Sequence, residues 1–135
     1  MPFSYSRTIH FADTDAAGVV FFARYYAICH EAYEEAIAAQ GLRFGSLFEN
    51  ADTMIPISRS EAKYLRPLVC GDKLRVTVRA ERLTPESFAI HYELFKEGHP
   101  EKLAAVARTE HVCISLKGRE RLPLSPALEK ALAAL

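Results

Sequence analysis

Apolar and polar residues alternate along much of this chain and change to helical spacing in two places. In FSYSRTIHF, Phe3, Tyr5, Ile9 and Phe11 share one parity and Ser4, Ser6, Thr8 and His10 the other, which predicts a half-buried strand. After a short polar turn, Tyr25, Ile28, Ala32, Ala36 and Ala39 recur every three or four residues, with Tyr26, Cys29, Tyr33 and Ile37 as a second row beside them. So broad an apolar face predicts a long, mostly enclosed helix that stops at Gly41. Pro56, Pro67, Gly71, Pro85 and Gly98 divide the following chain into pieces of strand length. Leu74, Val76, Val78 and Ala80 alternate with charged residues, and Phe88, Ile90, Tyr92 and Leu94 share one face. In LAAVARTEHVCISL the apolar parity is Val106, Val112, Ile114 and Leu116, against Thr109, His111 and Ser115. Ser125 followed by Pro126 opens a short terminal helix.

This order predicts an α+β fold: an antiparallel sheet of about five strands against one long central helix, with a short C-terminal helix. No linker, repeat or low-complexity tract interrupts it, and 135 residues is the size of one domain, spanning residues 1–135. The sheet edges and its outer face need cover, which predicts a homo-oligomer, dimer or tetramer.

Composition narrows the function classes. Seventeen basic and seventeen acidic residues cancel and are scattered, which argues against nucleic acid or an anionic membrane as partner. Cys29, Cys70 and Cys113 are single and show no CxxC spacing, which argues against a disulfide framework or a zinc site and suits a reducing cytoplasm. No apolar run approaches the roughly 20 residues of a membrane span, and MPFSYSRTIHF has no signal-peptide pattern. The dinucleotide, P-loop, hydrolase-elbow and zinc-protease motifs do not occur, so no cofactor or metal is expected. The five histidines show no ligand spacing and read as structural or solvated, and Cys29, on the apolar helix, reads as an inert thiol.

One stretch is left. Residues 13–18, DTDAAG, put Asp13 and Asp15 one residue apart on a turn leading into the long helix. One reading is capping, in which an Asp satisfies free N–H groups at the positive end of the helix dipole. The other is chemistry. Here the sequence resembles a known family: DTDAAGVV followed by Phe21 and Phe22, a long helix, SEAKYLRPLVCGDKL and a closing meander look like the hotdog-fold acyl-CoA thioesterases of the 4-hydroxybenzoyl-CoA type. The resemblance covers nearly the whole chain.

It implies an acyl-CoA substrate, with Asp15 as nucleophile or general base and the backbone N–H of Phe22 as donor to the oxyanion. Gly18 would let backbone and substrate approach closely. Asp13 would orient the Asp15 loop by accepting backbone N–H bonds. Glu31, Glu34 and Glu35 form a solvated or partner-facing edge of the helix. Within the family, FADTDAAGVVFFA with ICHEAYEE looks most like the 1,4-dihydroxy-2-naphthoyl-CoA thioesterases of cyanobacteria, which act in phylloquinone synthesis. Phe21 and Tyr25 would then pack on a flat acyl group or simply fill core. Relatives acting on 4-hydroxybenzoyl-CoA hold the CoA phosphates with a basic cluster before a Ser-Phe pair. Here RLTPESF keeps only Arg82, and Arg59, Lys63 and Arg66 are the other candidate cations, unless they belong to a solvated sheet face. A short-chain acyl-CoA thioesterase and a non-catalytic acyl-thioester-binding module are the alternatives.

Overall fold

The computed structural model describes residues 3–43, 45 and 52–135. Strand β1 (Phe3–Thr8) leads through a 3-10 turn (Phe11–Asp13) to helix α1 (Arg24–Ala39). Then follow β2 (Thr53–Met54), β3 (Ile57–Tyr64), β4 (Lys73–Thr84), β5 (Ser87–Lys96), β6 (Lys102–Val112), β7 (Ile114–Ser115) and helix α2 (Pro126–Ala133). Five strands form one antiparallel sheet in the order β1-β4-β5-β6-β3, and β2 and β7 pair separately. The predicted sheet on one long helix, closed by a short second helix, is therefore present. The β2–β7 pair was not predicted, because two-residue strands carry too few positions to show a period.

Helix α1 lies against the sheet through Tyr25, Ile28, Cys29, Ala32, Tyr33, Ala36 and Ile37, all buried. Each of its four large side chains contributes about 1.5–3 kcal/mol by leaving water. Helix α1 is enclosed on one side only, since Glu34 and Glu35 stand at the surface. Gly41, at φ +80°, ends it in the left-handed conformation that suits glycine. Ser125 Oγ accepts the Leu128 N–H at 3.2 Å and caps α2.

Two predictions at residue level are corrected. Phe11 does not continue the β1 row: pairing with β4 ends at Thr8, and Phe11 opens the 3-10 turn with 82% of its surface exposed. On β6 the apolar parity faces outward. The row under α1 is Ala105, Ala107, Thr109 and His111, all buried. Register explains the inversion. Tyr92 and Leu94 of β5 stand opposite Ala107 and Ala105, so bulk from β5 fills the space and β6 supplies small residues. The two polar members satisfy each other, with Thr109 Oγ1 and His111 Nε2 2.8 Å apart, and the Tyr92 hydroxyl lies 3.4 Å from Thr109. The His111 ring stacks flat on Phe88, centroids 4.7 Å apart, and tilts against Tyr33.

Candidate active site

The DTDAAG segment is a small hairpin. The Phe21 N–H donates to the Asp13 carbonyl, Thr14 bridges Val20, and the Asp15 N–H donates to the Val19 carbonyl. At its tip the Gly18 N–H returns to the Asp15 carbonyl at 3.0 Å. Gly18 sits at φ +82°, and a Cβ placed there would meet nothing in the protein within 4 Å. The glycine is thus demanded by its backbone conformation rather than by crowding from the protein.

Asp13 and Asp15 have opposite surroundings. Asp13 is 1% exposed and its carboxylate is fully engaged: Oδ2 accepts the His10 N–H and Arg7 Nη2, each at 2.8 Å, and Oδ1 accepts Arg24 Nε at 2.7 Å. Burial alone would raise its pKa. The His10 and Arg24 hydrogen bonds and the charges of Arg7 and Arg24 outweigh that, and the carboxyl stays below its ordinary value. The expected backbone bond to Asp13 is there, joined by two arginines that the local sequence did not suggest. Arg7 also reaches Glu31 of α1 at 3.4 Å, and the Tyr5 hydroxyl donates to the same Glu31 oxygen at 3.3 Å. Glu31 is thus tied to β1 within the chain.

Asp15 is exposed at the hairpin tip. Its Oδ1 accepts the Ala17 N–H at 2.8 Å, and among the described residues Oδ2 has no partner. That local bond fixes the carboxylate's direction and leaves one oxygen for chemistry. Phe22 is 61% exposed, and no acceptor among the described residues meets its N–H. The peptide carrying this N–H is held through its other end, where the Phe21 carbonyl accepts the Arg24 N–H at 2.8 Å.

Asp15, Phe21, Phe22 and Tyr25 come together around one open cavity of about 400 Å³. Val19 and Val20 of the hairpin and the segment Tyr64–Pro67 complete its wall. Tyr64 meets Tyr25 edge to face, centroids 4.9 Å apart, and its hydroxyl donates to the Phe22 carbonyl at 3.2 Å. Of the four candidate cations only Arg66 lines this cavity. Arg59 stands exposed in register with Glu110, and Lys63 borders a separate groove with Glu61, Arg79 and Arg108. Arg82 is taken up by Glu129 of α2 at 2.7 Å and by the Thr84 carbonyl. Arg59, Lys63 and Arg82 therefore do not line the Asp15 cavity of this chain. Alternation along a strand tells which residues share a face, but not that two faces of one sheet border different cavities. Tyr64 was missed because an aromatic ending a strand pattern reads as packing; Pro67 just beyond, which ends the strand and turns the chain, was the available signal.

Residues 9–132 match the family model described as the thioesterase-like superfamily. The chain belongs to this superfamily. Among its relatives, a protein of Thermosynechococcus vestitus named 1,4-dihydroxy-2-naphthoyl-CoA hydrolase is 45% identical over 124 residues, 92% of this chain and 84% of that protein. A protein of the same name from Crocosphaera subtropica is 43% identical over 122 residues, 90% and 89% of the two chains. The crystal structure of Slr0204, a 1,4-dihydroxy-2-naphthoyl-CoA thioesterase from Synechocystis, superposes with a TM-score of 0.93 at 32% identity, covering 100% of this chain and 98% of that one. The family and hotdog fold expected from DTDAAGVV and its context are thus borne out. The exposed Asp15 carboxylate and the Phe22 N–H, which meets no acceptor among the described residues, lie on one short segment. No helix among the described residues is long and apolar enough to cross a membrane.

Proposed function

We propose that this chain hydrolyses an aromatic acyl-CoA thioester, 1,4-dihydroxy-2-naphthoyl-CoA, to the free acid and CoA. The observation that carries the reading is the pairing, around one cavity, of a carboxylate oxygen with no partner on Asp15 and an N–H with no acceptor on Phe22 among the described residues. Thioester hydrolysis needs those two groups: an attacking base or nucleophile, and a donor for the charge that develops on the carbonyl oxygen.

With the acyl ring among Phe21, Phe22, Tyr25 and Tyr64, the ionised Asp15 attacks the thioester carbon or takes a proton from the water that does. Electron density moves to the carbonyl oxygen, where the Phe22 N–H at the positive end of α1 receives it. The C–S bond then breaks and the CoA thiolate leaves. In the nucleophilic route water afterwards cleaves the anhydride and restores the carboxylate. No further cofactor enters the reaction. Its position on the cavity wall supports Arg66 as the cation that meets CoA phosphate. The aromatic wall and the named relatives support the naphthoyl group, and with it a place in phylloquinone synthesis in the cytoplasm. The exposed edge residues Ile57 and Tyr64 of β3 suit a homo-oligomer, dimer or tetramer.

Thiol release from naphthoyl, hydroxybenzoyl and straight-chain CoA thioesters tests this. The naphthoyl ester should lead by more than about tenfold in kcat/KM, and Asp15→Asn should lower kcat by about 10²–10⁴. A straight-chain preference would favour a general acyl-CoA thioesterase. Full activity in Asp15→Asn would return the turn to a structural role, and binding without turnover would make the chain a carrier module.

A further inference from the structure

Three consecutive peptides around Phe22 are each anchored by a hydrogen bond. The Phe21 N–H is held by the Asp13 carbonyl at 3.0 Å, and the Phe21 carbonyl by the Arg24 N–H at 2.8 Å. The Phe22 carbonyl is held by the Tyr64 hydroxyl at 3.2 Å. Only the Phe22 N–H between them is left without an acceptor among the described residues. The first two anchors are backbone groups of the same local segment. The third is a side chain 42 residues away, at the end of β3.

We infer that Tyr64 is a positioning residue of the reaction: by holding the Phe22 carbonyl, on the peptide that follows, its hydroxyl restrains rotation about the Phe22 Cα and so, together with the anchor on the Phe21 carbonyl, steadies the Phe22 N–H that receives the oxyanion charge. The inference rests on the hydrolase reading above. A donor of this kind works because it is aimed beforehand at the place where charge will appear, so the group that sets its aim contributes to the rate without touching substrate. Phe22 lies just before the regular hydrogen bonding of α1, where the backbone is least constrained by its own helix, and an external anchor matters most there. The edge-to-face contact with Tyr25, whose own ring is 4% exposed, locks the Tyr64 ring and so the position of its oxygen. Burial, helped by the neighbouring Tyr26 and Cys29, raises the Tyr64 pKa, so the hydroxyl remains a donor at neutral and mildly alkaline pH.

The test is steady-state hydrolysis of naphthoyl-CoA and straight-chain acyl-CoA by wild type, Tyr64→Phe and Asp15→Asn, with the melting temperature of each. Tyr64→Phe keeps the ring and its packing on Tyr25. It should lower kcat about fivefold for every thioester cleaved, with KM within twofold of wild type and the melting temperature unchanged, because one neutral hydrogen bond is lost and the acyl wall is not. A purely structural tyrosine would lower the melting temperature without that kcat-selective, substrate-independent loss. Wild-type kcat in Tyr64→Phe with a dead Asp15→Asn overturns the positioning role and leaves the hydrolase reading standing. A wild type that cleaves no thioester, or full turnover in both variants, overturns both. A loss in KM alone, or for the naphthoyl ester alone, also overturns it by making Tyr64 a wall of the acyl pocket only.

Discussion

The two aspartates of the turn show how little residue identity says and how much surroundings decide. Asp13 is sealed by three donors at 2.7–2.8 Å, whereas Asp15, two positions on, keeps one oxygen unengaged. The sealed residue is the structural one. Replacing it by alanine leaves Arg7, whose side chain is only 11% exposed, with Glu31 at 3.4 Å as its remaining carboxylate, and frees Arg24, which can turn to water. Asp13→Ala should therefore lose about 3 kcal/mol of stability, read as a shift of the denaturant midpoint at unchanged slope. A loss under about 1 kcal/mol would mean that water and the existing contact with Glu31 suffice for Arg7 and that the carboxylate is dispensable. The two roles could be divided in the sequence only through the resemblance. Spacing placed both carboxylates on the turn, but the two arginines that help silence one of them come from β1 and from the first residue of α1.

Elements were legible in proportion to the length of their pattern. β1, α1, β4, β5 and α2 follow the periods written in the chain, and α2 even keeps the cap expected of Ser125. Because α2 packs beside β4, remote from the Asp15 cavity, Ser125→Ala should cost about 1 kcal/mol in chemical denaturation and leave kcat unchanged. A drop in kcat would tie α2 to the site. β6 was legible as a strand and misleading as to its faces. Alternation gives two parities, and choosing the inner one by hydrophobicity fails where the neighbouring strand already supplies the bulk and polar side chains satisfy one another. Thr109 and His111 are of that kind, and nothing local to LAAVARTEHVCISL announces Tyr92 as a partner of Thr109. The site was legible to the same degree: Asp15, Phe21, Phe22 and Tyr25 lie within eleven residues and were found, whereas Tyr64–Pro67 reach the cavity only through the tertiary fold.

For the molecule as a whole, two buried titratable groups make folding sensitive to acid. Burial, and secondarily the charge of His30, lowers the His111 pKa from 6.5 to about 4. Between those values the unfolded chain binds the proton and the folded one does not, so stability rises with pH across this window and is lost as pH falls through it. The loss amounts to about 3 kcal/mol at most. Asp13 acts further down: its folded pKa lies below the ordinary aspartate value, so its contribution is present above that value and fades as pH falls below it. Denaturant midpoints measured from pH 7 to pH 4 should fall steadily in the wild type and much less in His111→Phe, which keeps a flat ring against Phe88. Equal slopes in the two proteins would show that His111 is not the group responsible.

The cavity's two sides have separate origins. One turn of about ten residues carries Asp15 and Phe22, the proposed attacking group and oxyanion donor, while Tyr64–Pro67 close the opposite side from the far end of β3. Selection can therefore act on the two at different rates. On the proposed reaction, substitutions at Leu65 or Pro67 would alter what the cavity admits without touching Asp15 or the backbone of Phe22, so a lineage could explore new acyl groups while the capacity to break a thioester is inherited intact. Tyr64 is the position where that independence stops, because it belongs to both sides at once.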